Sequence, residues 1–213
     1  MAKELTIETW ARKEHFHFFK NFEEPFFSVT VEVDCTEAYD YCKENKVSFF
    51  LYYLYASLKA ANQITPFHYR IQGEKVMIHD TIKASPTINR PDGTFGFSYI
   101  DYYDTFSEFV LNASIEIERV RNGQGLMPAI SGENVIHYTA MPWIKFTALS
   151  HARSFSFQDS CPKISFGKMT LIDNRRTMPV SIHVHHALMD GIHVSEFLER
   201  YQSLLTNGLH SSL

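Results

Sequence analysis

The chain has 213 residues, 45% of them hydrophobic and 15% aromatic, a balance that belongs to a globular protein with a sizeable core and excludes intrinsic disorder. Its net charge is −4, and Lys and Arg are scattered singly, so no basic stripe exists to follow a phosphate backbone and nucleic-acid binding is excluded as an expectation. Cys35, Cys42 and Cys161 form neither a CxxC pair nor an even disulfide framework, which points to a reducing, cytoplasmic setting without a structural zinc site.

The opening MAKELTIETWARKEHFHFF lacks the uninterrupted apolar core of a secretory signal. Residues 9–20 read as a helix capped by Thr9, with Trp10, Phe16 and Phe19 toward one side. FFSVTVEVDC (26–35) alternates, so a strand is expected with Phe27, Val29, Val31 and Val33 on one face. CTEAYDYCKEN and SFFLYYLYASLKAANQ predict two successive helices, the second so apolar around its circumference that both sides should meet protein. Its run VSFFLYYLYASL (47–58) falls short of the ~20 residues that cross a bilayer, so no membrane partner is expected.

Gly73 lies between two alternating runs in 67–80, a hairpin signal, and GTFGFSYIDYYD predicts a further strand. Residues 105–123 form an amphipathic pattern through Phe106, Phe109, Val110, Ala113, Ile117 and Val120, ending on a glycine. Strands are expected at about 134–139, 143–149, 163–172 and 178–186, the last two joined by the turn DNRR. DGIHVSEFLERYQSLL closes the chain as a helix capped by Asp190. With no repeat or linker to divide it, 1–213 reads as a single domain of α+β class, a two-layer α/β sandwich whose mainly antiparallel mixed sheet is covered by helices.

The stretch PVSIHVHHALMDGIHVSEF (179–197) gathers His183, His185, His186, His193 and Asp190. In a strand, Val180, Ile182, Val184 and His186 share one face while Ser181, His183 and His185 share the other, so His186 alone ends an apolar row. Burial there disfavours a charged imidazolium and keeps one ring nitrogen free to accept a proton, as a general base requires. A metal would need His183 and His185 plus a ligand from elsewhere, and neither HExxH nor zinc-finger spacing supports it; no metal is expected. A satisfied core histidine beside a helix-capping aspartate remains the plain alternative.

HVHHALMDGIHV resembles the HHxxxDG motif of the CoA-dependent acyltransferases, and SIHVHHALMDGIHVSEFL is similar to the chloramphenicol acetyltransferase family in particular. TWARKEHFHFF, TAMPWIKFTAL (139–149) and PKISFGKM (162–169) follow in that family's order and with closely similar spacing, so the resemblance covers nearly the whole chain. It implies acetyl transfer from acetyl-CoA to a hydroxyl of chloramphenicol by direct attack, with His186 as base. It also implies that Thr139 stands at the oxyanion-donor position, where the family carries serine; the extra methyl can misplace the donor. Asp190 would pair with Arg12 to support the site without taking protons. Phe19, Ser165 and His137 would face the acceptor, and Trp143 and Lys168 the coenzyme. Phe19 stands where a tyrosine is common, and His137 and His151 where an amide and an aliphatic side chain are, so another hydroxylated acceptor is a second expectation and a non-catalytic ligand-binding protein a third. The resemblance further implies a homotrimer with active sites at subunit interfaces.

Overall fold

The computed structural model describes residues 2–126, 132–156 and 158–209. In chain order, the first half contains β1 (Ala2–Glu4), α1 (Lys13–Phe19), β2 (Phe26–Asp34), α2 (Thr36–Glu44), α3 (Phe49–Asn62), β3 (Tyr69–Gln72), β4 (Lys75–His79), β5 (Lys83–Asn89) and β6 (Phe95–Phe97). The second contains α4 (Phe106–Asn122), β7 (Val135–Ala140), β8 (Lys163–Phe166), β9 (Thr170–Ile172), β10 (Arg175–His185) and α5 (Gly191–Asn207).

The main sheet runs β2-β10-β8-β7-β5-β6, with β9 paired to β10. Its β5/β7 and β7/β8 contacts are parallel and the other pairings antiparallel, the mixed sheet expected of an α+β sandwich. One face carries Val180, Ile182 and Val184 of β10, Ile164 and Phe166 of β8, and Ile136 and Tyr138 of β7, all buried in a single core with α3, α4 and α5. α3 touches α2, α4 and α5, so its apolar circumference is buried almost throughout. A separate sheet, β1-β4-β3, turns at Gly73 with φ +59°, a left-handed conformation that glycine adopts without steric cost. Tyr69, Ile71 and Val76 of this sheet pack with Phe16 of α1 and with Ala187 and Leu188 just beyond β10, which seats α1 against the end of the longest strand. Among the described residues no helix is long and apolar enough to cross a membrane.

Several local expectations need correction. Thr9 does not cap a helix: its hydroxyl donates back to the Thr6 carbonyl (3.3 Å) at the end of a short 3-10 turn, and α1 begins only at Lys13. Residues 143–149 are not a strand. After Pro142 the chain turns, with the Ile144 amide on the Met141 carbonyl (3.1 Å), and Trp143 and Ile144 are exposed while only Phe146 is buried. The expected strand 163–172 breaks at Gly167, where a Cβ would come within 2.6 Å of Pro179 and 2.9 Å of the Ile144 carbonyl. The strand expected from GTFGFSYIDYYD is three residues long, followed by an isolated bridge from Ile100 to Ala84. β5 has no clear strand signal because Pro86 interrupts it; in the sheet, the Pro86 carbonyl accepts from the amide and hydroxyl of Ser98 (3.1 and 2.6 Å). β10 stops at His185, one residue short of His186.

One ion pair ties the N-terminal segment to α5. Arg12, which directly precedes α1, donates to the carboxylate of Asp190 and through its other terminal nitrogen to the His186 carbonyl (3.1 Å). Asp190 also accepts from the Ile192 amide (3.3 Å) as the cap of α5, and His193 accepts the Asp190 amide in return (3.1 Å). Burial works against the Asp190 charge, yet the Arg12 guanidinium, His193 and the Ile192 amide together hold its carboxyl below the usual range. A carboxyl that titrates lower when folded stabilises fully above its unfolded value, near pH 4, and loses that contribution as the pH falls through the lower folded value. Asp190→Asn keeps the cap and removes the charge, so it should cost about 1–2 kcal/mol at pH 7 and progressively less as the pH falls below about 4, as read by urea unfolding across that range.

Candidate active site

The His186 ring projects on the helix side of the sheet, continuing the apolar row of β10 one residue past its end. It stacks on Phe19 of α1 (centroids 4.1 Å, 21°) and leans on Phe27 of β2 (4.8 Å). Its amide is anchored to the Pro25 carbonyl (2.8 Å). The Nδ1 atom lies 3.3 Å from the carbonyl oxygen of Met189, which can only accept, so in the neutral ring Nδ1 carries the proton and Nε2 the lone pair. Phe19, Arg12 and Asp190 are thus gathered around His186, and two aromatic planes fix the ring's tilt.

Thr139, Ser165 and His137 lie on the opposite face. Thr139 of β7 is directly paired with Ser165 of β8, Ser165 with Ser181 of β10, and Ser181 with Thr30 of β2, a row of four hydroxyls across adjacent strands. The next row holds Ser28, His183, Lys163, His137 and Ser85. Thr139 and His137 are half-buried, whereas Ser165 is wholly covered. The structure therefore joins Thr139, Ser165 and His137 into one surface and does not bring His186 to it. Along β10, His186 is five residues beyond the hydroxyl row, roughly 16 Å at about 3.3 Å per residue. Thr139 is two strands across, roughly 10 Å more at about 4.8 Å per strand. A proton transfer needs about 3 Å, so His186 and Thr139 cannot act on the same atoms within one chain.

Beyond Thr139 the ends of β7 and β8 open onto a cavity of about 770 Å³ between α3 and α4. Ala140, Pro142, Phe49 and Phe50 give it apolar walls, Lys168 supplies a cation, and Arg121 stands there paired with Glu118 (2.9 Å). Lys168 lines it, while Trp143 stands exposed next to its wall residue Pro142. Arg121 was not anticipated: on the sequence it is one more charged residue near a helix end.

The three remaining histidines of the stretch are explained by packing. His183 and His185 are buried, and desolvation pushes each down to about 4, with His151 and Lys163 adding to the effect at His183 and Arg153 at His185. His137 is held at about 4 by burial and then by Lys163. Lys163 itself is buried and paired with Asp159 (2.6 Å), a contact that no signal in the sequence announces. His193 serves the helix cap.

The family model for chloramphenicol acetyltransferase matches residues 2–202. Chloramphenicol acetyltransferase 3 of Escherichia coli is 27% identical over 206 residues, covering 95% of this chain and 96% of its own. The chloramphenicol acetyltransferase of Proteus mirabilis is 27% identical over 205 residues, covering 96% of this chain and 94% of its own. A solved chloramphenicol acetyltransferase structure is 32% identical and superposes with a TM-score of 0.88 over 96% of this chain and 100% of its own. The order of elements, the histidine at the end of β10 and these full-length likenesses agree, and the chain belongs to the chloramphenicol acetyltransferase family of acyltransferases.

Proposed function

We propose that the chain, as one catalytic domain, acetylates a hydroxyl of chloramphenicol at the expense of acetyl-CoA. The observation that carries this reading is the His186 ring, stacked on Phe19 and held through Nδ1 so that Nε2 presents a lone pair. Acetyl-CoA supplies the acetyl group as an activated thioester. Nε2 of His186 takes the proton of the acceptor hydroxyl as its oxygen bonds to the acetyl carbon, and the imidazolium returns that proton to the departing thiolate. Thr139 donates to the oxygen on which negative charge builds. Arg12 and Asp190 keep the turn beside the base in place, and Asp190 stays ionised throughout. The cavity beyond Thr139 suits the coenzyme, with apolar walls for the pantetheine and Lys168 for phosphate; Trp143 stands next to its wall residue Pro142. Phe19, Ser165 and His137 belong to the acceptor end.

Because His186 and Thr139 sit on opposite faces of the sheet, the working site is assembled from two copies, His186 of one opposite Thr139, Ser165 and His137 of the next. A homotrimer provides three such sites. Cytosolic placement is supported by the three free thiols, Cys35, Cys42 and Cys161, all buried.

Purified protein mixed with acetyl-CoA and chloramphenicol should release free thiol, and His186→Ala should lower that rate on the order of 10²-fold or more. Thiol release with another alcohol but not with chloramphenicol would redirect the acceptor. Ligand binding without turnover by either protein would favour a sequestering role. Thr139→Val removes the donor at similar volume and should reduce kcat about 10²-fold. Mixing His186→Ala with Thr139→Val, unfolding and refolding together, should recover activity that neither variant has alone. If the mixture stays as inactive as its components, the two-copy site is wrong.

A further inference from the structure

Ser165 presents a difficulty for any acceptor. Its residue is 0% exposed, so a molecule arriving at the polar face of the sheet cannot reach its hydroxyl directly. What covers it is the loop between β7 and β8, from which His151 places Nε2 at 3.2 Å from the Ser165 hydroxyl. The His151 ring is only half-buried, and it stands edge-on to His183 with centroids 4.6 Å apart at 82°. His183 is in turn held from below: its Nε2 is 3.0 Å from the Ser181 hydroxyl, which accepts from Thr30 at 3.0 Å. Two strands thus fix the His151 ring through a hydroxyl and an aromatic edge. Among the described residues, Nδ1 of His151 has no hydrogen-bond partner, and it is not among the buried unpaired atoms.

We propose that His151 is the group through which this chain hydrogen-bonds its acceptor, with Ser165 acting beneath it as a positioning residue. Nε2 is committed to Ser165, and Nδ1 is the nitrogen left for a hydroxyl or amide of the acceptor. Thr139, paired with Ser165, lies beside this point, so an acceptor held by His151 extends over the oxyanion donor. Burial, and then the charge of Lys163, push the His151 imidazole below its ordinary value, which leaves it neutral at pH 7 and able to donate from one nitrogen while accepting at the other. The assignment rests on the acetyltransferase reading and adds a specificity-determining residue to it: the acceptor must offer a hydrogen-bonding group here, and one that lacks it leaves a buried polar network incomplete.

Calorimetric dissociation constants for chloramphenicol and for acetyl-CoA separate the possibilities without relying on turnover. His151→Leu should weaken chloramphenicol about 3- to 10-fold, the loss of one neutral hydrogen bond, and leave acetyl-CoA unchanged. His151→Gln, which keeps a donor and an acceptor at similar reach, should recover most of the affinity. Ser165→Ala should weaken chloramphenicol in the wild-type background and add nothing in His151→Leu, because its effect passes through His151. Wild-type affinity in His151→Leu, or an equal Ser165→Ala effect in both backgrounds, overturns the assignment while the acetyltransferase reading stands. A wild-type protein that neither binds nor acetylates chloramphenicol overturns both.

Discussion

A β-strand can direct a side chain to only one of two faces, and the placement of chemistry in this protein follows from that restriction. Four of the six strands in the main path send aliphatic or aromatic residues toward the helices and hydroxyls, imidazoles and a lysine the other way. The helices cover the first face and make the core. The second face is left to a loop, to water and, in the proposed assembly, to another copy of the chain. His186 follows the apolar row and Thr139 the polar one, so the sheet itself stands between the proposed base and the proposed oxyanion donor. In the proposed assembly a single sequence thus encodes two halves of a site that are complementary between copies, and the proposed association follows from strand geometry.

The two halves are prepared differently. On the helix side, His186 is controlled by shape: Phe19 and Phe27 restrict the ring, and the Met189 carbonyl selects the tautomer. The ion pair of Arg12 with Asp190 joins the start of α1 to the start of α5, and Arg12 also holds the His186 carbonyl, so the same contacts that close the fold also position the proposed base. On the polar side, control is electrostatic. His137, His151 and His183 lie near Lys163, and desolvation together with that cation disfavours adding further positive charge. Lys163 is tolerated because Asp159 neutralises it. The outcome is a surface rich in hydrogen-bonding groups that carries little net charge, suited to an uncharged alcohol.

The proposed coenzyme and acceptor regions are adjacent because of where two strands end. Ala140 closes β7 directly after Thr139, and Gly167 breaks the line of β8 two residues after Ser165, so both chains turn aside at the edge of the cavity. Pro142 and Lys168 sit on those turns. Only glycine fits at 167, because a side chain there would run into Pro179 and the Ile144 carbonyl. The proposed oxyanion donor consequently lies at the border between the two binding regions, where a thioester carbonyl would have to be.

Much of this was legible in the sequence. Alternation through Val180, Ile182 and Val184 assigned His186 and His183 to opposite sides, helical periodicity located α3, α4 and α5, and the spacing of four motifs identified the family. These signals are local, since a side chain's face depends only on its position along its own strand or helix. What the sequence could not decide were contacts set by chain closure. Thr9 had the composition of a cap but its hydroxyl turned backward; Pro86 hid a central strand; Pro142 and Gly167 cut two expected strands short. The covering of Ser165 by His151, the pairing of Lys163 with Asp159, and the distance across the sheet from His186 to Thr139 depend on which strands become neighbours. Periodicity records the direction of a side chain, whereas its partner is chosen only when remote segments pack together.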